Sequence, residues 1–354
     1  MIPIFKPYMS SNIITGLEEI LYSGQLSFGK YGVIFENELK EYIGCDNLLS
    51  INSYNQAMQI VLSTLNLKFG DEIIASPVSC LASNQPFAVK GLKIIWADVN
   101  PEIGTLNPED VKLKITKNTK AIFHNHFCGY LGDIDAINAI GKEFGIPVID
   151  DAIEAFGSQY NNKKIGNLGT DMTVFSFQTV RLPNTIDGGA ITFKSKKDYE
   201  KAKLIRDYGI DRNNFRTVFG EIDPKCDITN EGFRGLMNEV NSYIGIKNME
   251  NIFELLEKQK VNASNWNNKF LDNCNIISLK KIENTMPNYW VYGTLCKNKN
   301  QSIQNFKRQG FQATGVHMNN NIYSIFNNKQ NLKGVNEFMD NFVAIPCGWW
   351  FNNK

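Results

Sequence analysis

The 354-residue chain is 43% hydrophobic and 21% charged, enough to bury a substantial core, and its length predicts one large domain plus a smaller one. With 37 basic and 36 acidic side chains the formal charge is +1, which removes any bulk electrostatic case for nucleic acid or an anionic membrane as partner. The 7 cysteines are scattered with no CxxC spacing, the opening MIPIFKPYMSSNII has no basic stretch leading into a long apolar run, and no apolar stretch approaches the ~20 residues of a membrane span, so a cytoplasmic location is predicted.

The first two hundred residues alternate short apolar runs with helical patterns. A helix is predicted over Asn55 to Leu67 after a polar turn. Strands are predicted at Glu72 to Ser76 (EIIAS), Leu92 to Trp96 (LKIIW), Lys120 to Phe123 (KAIF) and Ile146 to Ile149 (IPVI), each bounded by charge or glycine. Between the last two, Ile134, Ile137, Ile140 and Phe144 recur at helical spacing. This alternation predicts parallel α/β layering. From about Pro224 the chain turns richer in Asn and Lys, with a helical stretch over Asn238 to Val261 and the strand-like IISLKK and NYWVYGTLC. The expected division is therefore a large α/β domain over residues 1–225 and a smaller α+β domain over residues 226–354.

Chemistry concentrates in VIDDAIEAFGS, Val148 to Ser158, which places Asp150 and Asp151 at the end of a buried strand. Open α/β sheets gather their ligands there, although an aspartate at such a point also serves as a helix cap. In AIFHNHFCG, His124 and His126 alternate on a strand end and can face one way. A histidine pair without a third clustered ligand is a poor metal signal, so no metal is predicted. His126 is expected to line the site or satisfy a core hydrogen bond, and His317 in TGVHMNNN is either a second acid/base candidate or a surface residue.

Several segments, taken in order, resemble the DegT/StrS-type family of sugar-nucleotide aminotransferases: YSGQLSFGKYGVIFENELKEYIG (Tyr22 to Gly44), IIWADVNPEIGTLNPED, KNTKAIFHNHFCGYLGDIDAI, VIDDAIEAFGS, the stretch VFSFQTVRLPNTIDGGAITF (Val174 to Phe193) and AIPCGWW. The resemblance covers nearly the whole chain. It implies an aspartate-aminotransferase-like, fold-type-I large domain with a mostly parallel sheet, and a smaller α+β C-terminal domain. In such enzymes the DxAxAxG aspartate holds the pyridine nitrogen of pyridoxal phosphate (PLP), and here it falls on Asp151. Glu154 falls beside the cofactor ring, and Ser176 falls where a serine hydroxyl binds the phosphate.

Five positions depart from the family pattern. The lysine that anchors the cofactor covalently falls on Arg181, whose guanidinium stays protonated and cannot condense with an aldehyde. The Gly and Thr of the phosphate loop fall on Tyr54 and Asn55, and a tyrosine there implies altered backbone geometry or a ring occupying phosphate space. The Asn that reaches a neighbouring subunit's phosphate falls on Arg234. Cys80 falls where an aromatic residue often stacks on the ring, and reads first as a buried core thiol.

A buried arginine needs a counter-charge, and Asp151 is the nearest expected partner of Arg181. The leading expectation is thus a cofactor-free, repurposed homologue from bacterial nucleotide-sugar (surface polysaccharide) biosynthesis. Two alternatives accompany it. One is a lysine-free enzyme using noncovalent PLP or pyridoxamine phosphate (PMP) on a sugar nucleotide, dehydratase-like or aminotransferase-like. The other is a non-catalytic nucleotide-sugar binder or dimer partner, as a homodimer or as a heterodimer with an active paralogue.

Overall fold

The computed structural model describes residues 1–351. Seven strands form the central sheet. They are β1 (Leu48–Ile51), β2 (Glu72–Ala75), β3 (Lys93–Trp96), β4 (Thr119–Asn125), β5 (Val148–Ala152) and, after the two-residue strands β6 (Gln159–Tyr160) and β7 (Lys163–Lys164), β8 (Met172–Ser176) and β9 (Gly189–Phe193). Their order is β1-β9-β8-β5-β4-β2-β3. Strands β3, β2, β4, β5 and β8 run parallel, while β9 is antiparallel to both its neighbours β1 and β8. Every residue of β2, β5 and β8 is buried, so their apolar residues do not alternate with exposed polar ones.

Helices cover both faces: α1 (Ile14–Tyr22), α2 (Lys30–Ile43), α3 (Tyr54–Thr64), α4 (Leu81–Lys90), α5 (Pro108–Lys114), α6 (Ile134–Phe144) and α7 (Lys196–Ile205). The sequence sets their ends. Asp133 accepts from the Ala136 amide at the start of α6, and Gly145, in the left-handed region at φ 65°, stops it. Ser53 does the same for α3, its hydroxyl accepting from Gln56 N–H.

The predicted helix over Asn238 to Val261 is two helices, α8 (Glu239–Met249) and α9 (Ile252–Phe270), separated at Glu250 and Asn251. They belong to different layers. α8 packs on α2 and α1, and its Glu239 carboxylate accepts from the amides of Gly29, Tyr31 and Gly32 at 2.9, 3.0 and 2.9 Å, closing the exposed N-terminus of α2. α9 instead supports a three-stranded antiparallel sheet of β10 (Ile276–Ser278), β12 (Tyr292–Cys296) and β13 (Phe342–Ile345), with α10 (Lys299–Arg308) and α11 (Lys333–Asn341) alongside. The short β11 (Thr285–Met286) leaves that unit to pair with β6 beside the large sheet. The N-terminal segment is shared in the same way: Ile2 bridges to Phe311, and Phe5 stacks on Trp290 at 4.4 Å. Trp350 donates to the Pro3 carbonyl at 3.0 Å, so it is a packing residue. Among the described residues no helix is long and apolar enough to cross a membrane.

Candidate active site

Strand β5 sends its two aspartates to opposite faces. In the β4–β5 register His124 lies opposite Asp150 and Asn125 opposite Asp151, so the period-2 alternation that separates the aspartates also sorts their neighbours.

On one face, Asp150 Oδ1 stands 3.3 Å from His124 Nδ1 and 3.2 Å from His126 Nε2, with all three side chains 1% exposed or less. Neither contact is aligned as a hydrogen bond. Burial alone would raise the Asp150 carboxyl, but the two imidazoles offset it and hold the group below the usual carboxylate range; burial pushes His124 down. The three ligand-type atoms lie within 4.8 Å of one another, the spacing of a metal site. The tautomer argues otherwise. Gly132 N–H donates to His126 Nδ1 at 3.1 Å, so the proton of a neutral His126 sits on Nε2, the atom a metal would need unprotonated. His126 thus points to Asp150 and the Gly132 amide, and is not brought to the cluster around Glu154.

On the other face, Asp151 Oδ1 accepts from the Tyr54 hydroxyl at 2.8 Å and from Ile153 N–H at 3.1 Å. Its carboxyl is pushed up to about 6 by burial, held back by the Ser83 and Tyr54 hydroxyls and the Ile153 amide. Oδ2 has no aligned partner. Tyr54 is the first residue of α3 and is 5% exposed, while Asn55 beside it faces solvent. Burial and the Asp151 charge drive the Tyr54 phenol well above its ordinary value, so it stays a neutral donor.

Arg181 does not pair with Asp151, contrary to the expectation. Its Nη2 lies 3.5 Å from Glu154 Oε1, and its guanidinium stacks over the Trp290 ring with 4.1 Å to the centroid. The reason lies in the turn after β5, which carries Glu154 past the strand end to meet Cys128, Asn288 and His317. Glu154 Oε2 accepts from Cys128 N–H at 2.7 Å, and Asn288 Nδ2 donates to the Glu154 carbonyl at 2.8 Å. Glu154 Oε1 also meets His317 Nε2 at 2.8 Å. Burial would raise Glu154, yet His317, Arg181 and the Cys128 amide together hold it below its usual value. As an anion it only accepts, so His317 carries its proton on Nε2 and leaves Nδ1 as the basic nitrogen. Nothing local in the sequence pointed to the His317–Glu154 pair, 163 residues apart, or to Trp290 and Asn288.

Ser176, at the end of β8, borders a cavity of about 10 Å³ together with Glu154, Arg181 and Trp290. Cys80 precedes α4, and its thiol is pushed up to about 11 by burial and by the Glu154 charge, which places it beside the same group of charges. Arg234 lies elsewhere. Its side chain is exposed and lines a cleft of about 820 Å³ with Phe28, Arg206 and Arg212, while its carbonyl accepts from Asn52 Nδ2 at 2.8 Å, next to the α3 junction.

Fold and site together define an α/β protein of the fold-type-I, aspartate-aminotransferase-like class. The model of the DegT/DnrJ/EryC1/StrS aminotransferase family matches residues 7–351, and the chain belongs to that family. Among solved structures it is similar to the sugar aminotransferase CalS13 from Micromonospora echinospora (25% identity, TM-score 0.92, 99% of this chain and 96% of that one). It is also similar to AtS13 from Actinomadura melliaura (28%, 0.92, 99% and 95%). A GDP-4-keto-6-deoxymannose-3-dehydratase, solved with a trapped PLP-glutamate geminal diamine, shares the fold at 20% identity and TM-score 0.87, over 99% of this chain and 96% of that one.

These findings correct the expectation of a cofactor-free site, because the family and its structural neighbours point to PLP. The residues present fit its two polar ends. Asp151 Oδ2, unpartnered and buried, suits a pyridine nitrogen, and the first turn of α3 with nearby Ser176 suits a phosphate. Arg181 Nε and Nη1 are likewise buried without an aligned partner. The hydroxyl of Tyr54 stands between these ends, on Asp151.

Proposed function

We propose that the chain is a PLP- or PMP-dependent enzyme acting on a nucleotide sugar, aminotransferase-like or dehydratase-like, that holds its cofactor without a covalent lysine. The observation that carries the reading is Arg181 at the lysine's place in the motif spacing, sharing Glu154 with His317 while Asp151 is kept. When bound, the cofactor supplies an electron sink that draws electron density from the substrate carbon.

The chain's own residues divide the remaining work. Asp151, as the anion, holds a protonated ring nitrogen. The N-terminal amides of α3 and the Ser176 hydroxyl take the phosphate. Arg181, fixed flat against Trp290, directs its unpartnered N–H groups to an anionic oxygen, a task for which a fixed guanidinium is suited. His317 Nδ1 accepts a proton, and Glu154 stabilises the imidazolium that results. A homodimer, with Arg234 near a partner's phosphate site, completes the proposal.

The test is an absorbance and equilibrium-dialysis titration with PLP and PMP, followed by borohydride reduction and intact-mass measurement. The parent should bind either form saturably and gain no mass on reduction, whereas Arg181→Lys should become covalently labelled by PLP. No binding of either form at millimolar concentration refutes the reading.

A further inference from the structure

The site contains one side chain that competes with the group it is built to hold. We infer that Tyr54 is an internal occupant of the cofactor's ring seat, and that PLP or PMP binds by displacing its hydroxyl from Asp151. The inference rests on the reading above and concerns what this chain has added to it.

Three observations carry it. First, Tyr54 is rooted at the start of α3, the phosphate end of the seat, and its hydroxyl reaches Asp151 Oδ1 at 2.8 Å, the ring-nitrogen end. One side chain therefore spans both anchors that a pyridine phosphate would use. Secondly, the ring is 5% exposed and belongs to the main core cluster, so it fills space and is not a flap over it. The cavity at the other members of the site, bordered by Glu154, Ser176 and Arg181 and not by Tyr54, measures about 10 Å³, room for roughly one water. An aromatic cofactor must then gain its place by side-chain movement. Thirdly, few polar contacts hold Tyr54 in place. It sits in the first helical turn, where its own amide needs no helical partner, and the hydroxyl contact to Asp151 is its one polar side-chain tie with an aligned geometry.

The phenol imitates what it excludes. As a neutral donor to Asp151 it supplies the hydrogen bond that a ring N–H would give, so the carboxylate remains partnered on one oxygen in either state. A bound cofactor exchanges one donor for another and must in addition relocate a buried ring. Affinity is lowered by that relocation.

The experiment is a titration of the parent, Tyr54→Phe and Tyr54→Gly with PMP and separately with PLP, by equilibrium dialysis and absorbance, with urea midpoints to show that each variant folds. Tyr54→Phe keeps the ring and loses the tie to Asp151, and should tighten binding roughly ten- to a hundredfold, the range for a hydrogen bond to a charged group. Tyr54→Gly removes the ring as well and should tighten it further. Equal or weaker binding by both folded variants overturns the inference and leaves the proposed function standing, provided the parent binds. If parent and both variants all fail to bind, both are overturned.

Discussion

Asp150 and Asp151 are adjacent on one strand and equally buried, yet the structure moves them in opposite directions. Asp150 is held below the ordinary carboxylate range between two imidazoles, and Asp151 is raised to about 6 among hydroxyls and an amide. The difference is one of neighbours. β4 places His124 across from Asp150, whereas the neighbours of Asp151 come from α3 and the turn at Ile153. A carboxylate flanked by two imidazoles from β4 and the residue after it is a structural anion. One left with a free oxygen and a displaceable phenol is poised for a ligand.

The sharpest way to break this contrast is to remove each charge in turn. Asp150→Ala leaves two buried imidazoles facing an apolar gap, and should cost on the order of 3 kcal/mol in urea denaturation at pH 7, since each abandoned buried donor costs about 1–3 kcal/mol. Asp151→Asn should leave stability unchanged or higher, because the amide oxygen still accepts from Tyr54 and Ile153. The same variant should weaken PMP binding more than tenfold. Loss of stability by Asp151→Asn as large as that of Asp150→Ala would show that the two faces are equivalent after all.

Acid titration sharpens the contrast further. The folded Asp151 carboxyl, raised from 3.8 to about 6, stays protonated where the unfolded chain has already ionised. The folded state binds the extra proton, so this group lowers stability as pH rises from about 4 to about 6, by roughly 2 pKa units or about 3 kcal/mol, and then levels off. Asp150 has the opposite sign: its contribution is present above about pH 4 and is lost as pH falls below it. Relative to the parent, Asp151→Asn should gain between pH 4 and 6, while Asp150→Asn should show a deficit that shrinks only below pH 4. Urea midpoints across pH 3 to 8 measure both curves, and parallel curves for the two variants would contradict the assignment.

Local pattern and motif spacing predicted the scaffold of this contrast better than its contacts. The apolar runs EIIAS, LKIIW, KAIF and IPVI fall on β2 to β5: β2 and β5 are buried on both faces and need no alternation to be recognised, whereas the edge strand β3 has an exposed Lys93 and a half-buried Ile95. The resemblance singled out Asp151, Glu154, Ser176 and Arg181, and the structure gathers them at the C-terminal ends of β5 and β8. What stayed hidden was long-range. His317 reaches Glu154 across 163 residues, and Trp290 offers Arg181 a face that no local pattern announces. Charge matching alone assigned Arg181 to Asp151. Stacking on Trp290 and the outward turn of Glu154 decided otherwise. The break between α8 and α9 was hidden for a similar reason, since both halves carry helical spacing and only their packing partners, α2 for one and the small sheet for the other, separate them.

The gentlest probe acts one residue before Tyr54. The Asp151 face depends on a loop-to-helix junction, held by the Ser53 hydroxyl accepting from Gln56 N–H at 3.2 Å, whereas the Asp150 face depends on a strand pair. Ser53→Ala removes the cap and should cost about 1 kcal/mol in urea denaturation, while Ser53→Thr should cost a few tenths at most. The informative readout is local. Fraying of the first turn of α3 loosens Tyr54 and spoils the phosphate seat, so hydrogen exchange should quicken over residues 53–57 and stay unchanged over 122–126 and 148–152. Faster exchange on β4 and β5 as well would mean that the two faces unfold as one unit, and that the division of labour between Asp150 and Asp151 is electrostatic only.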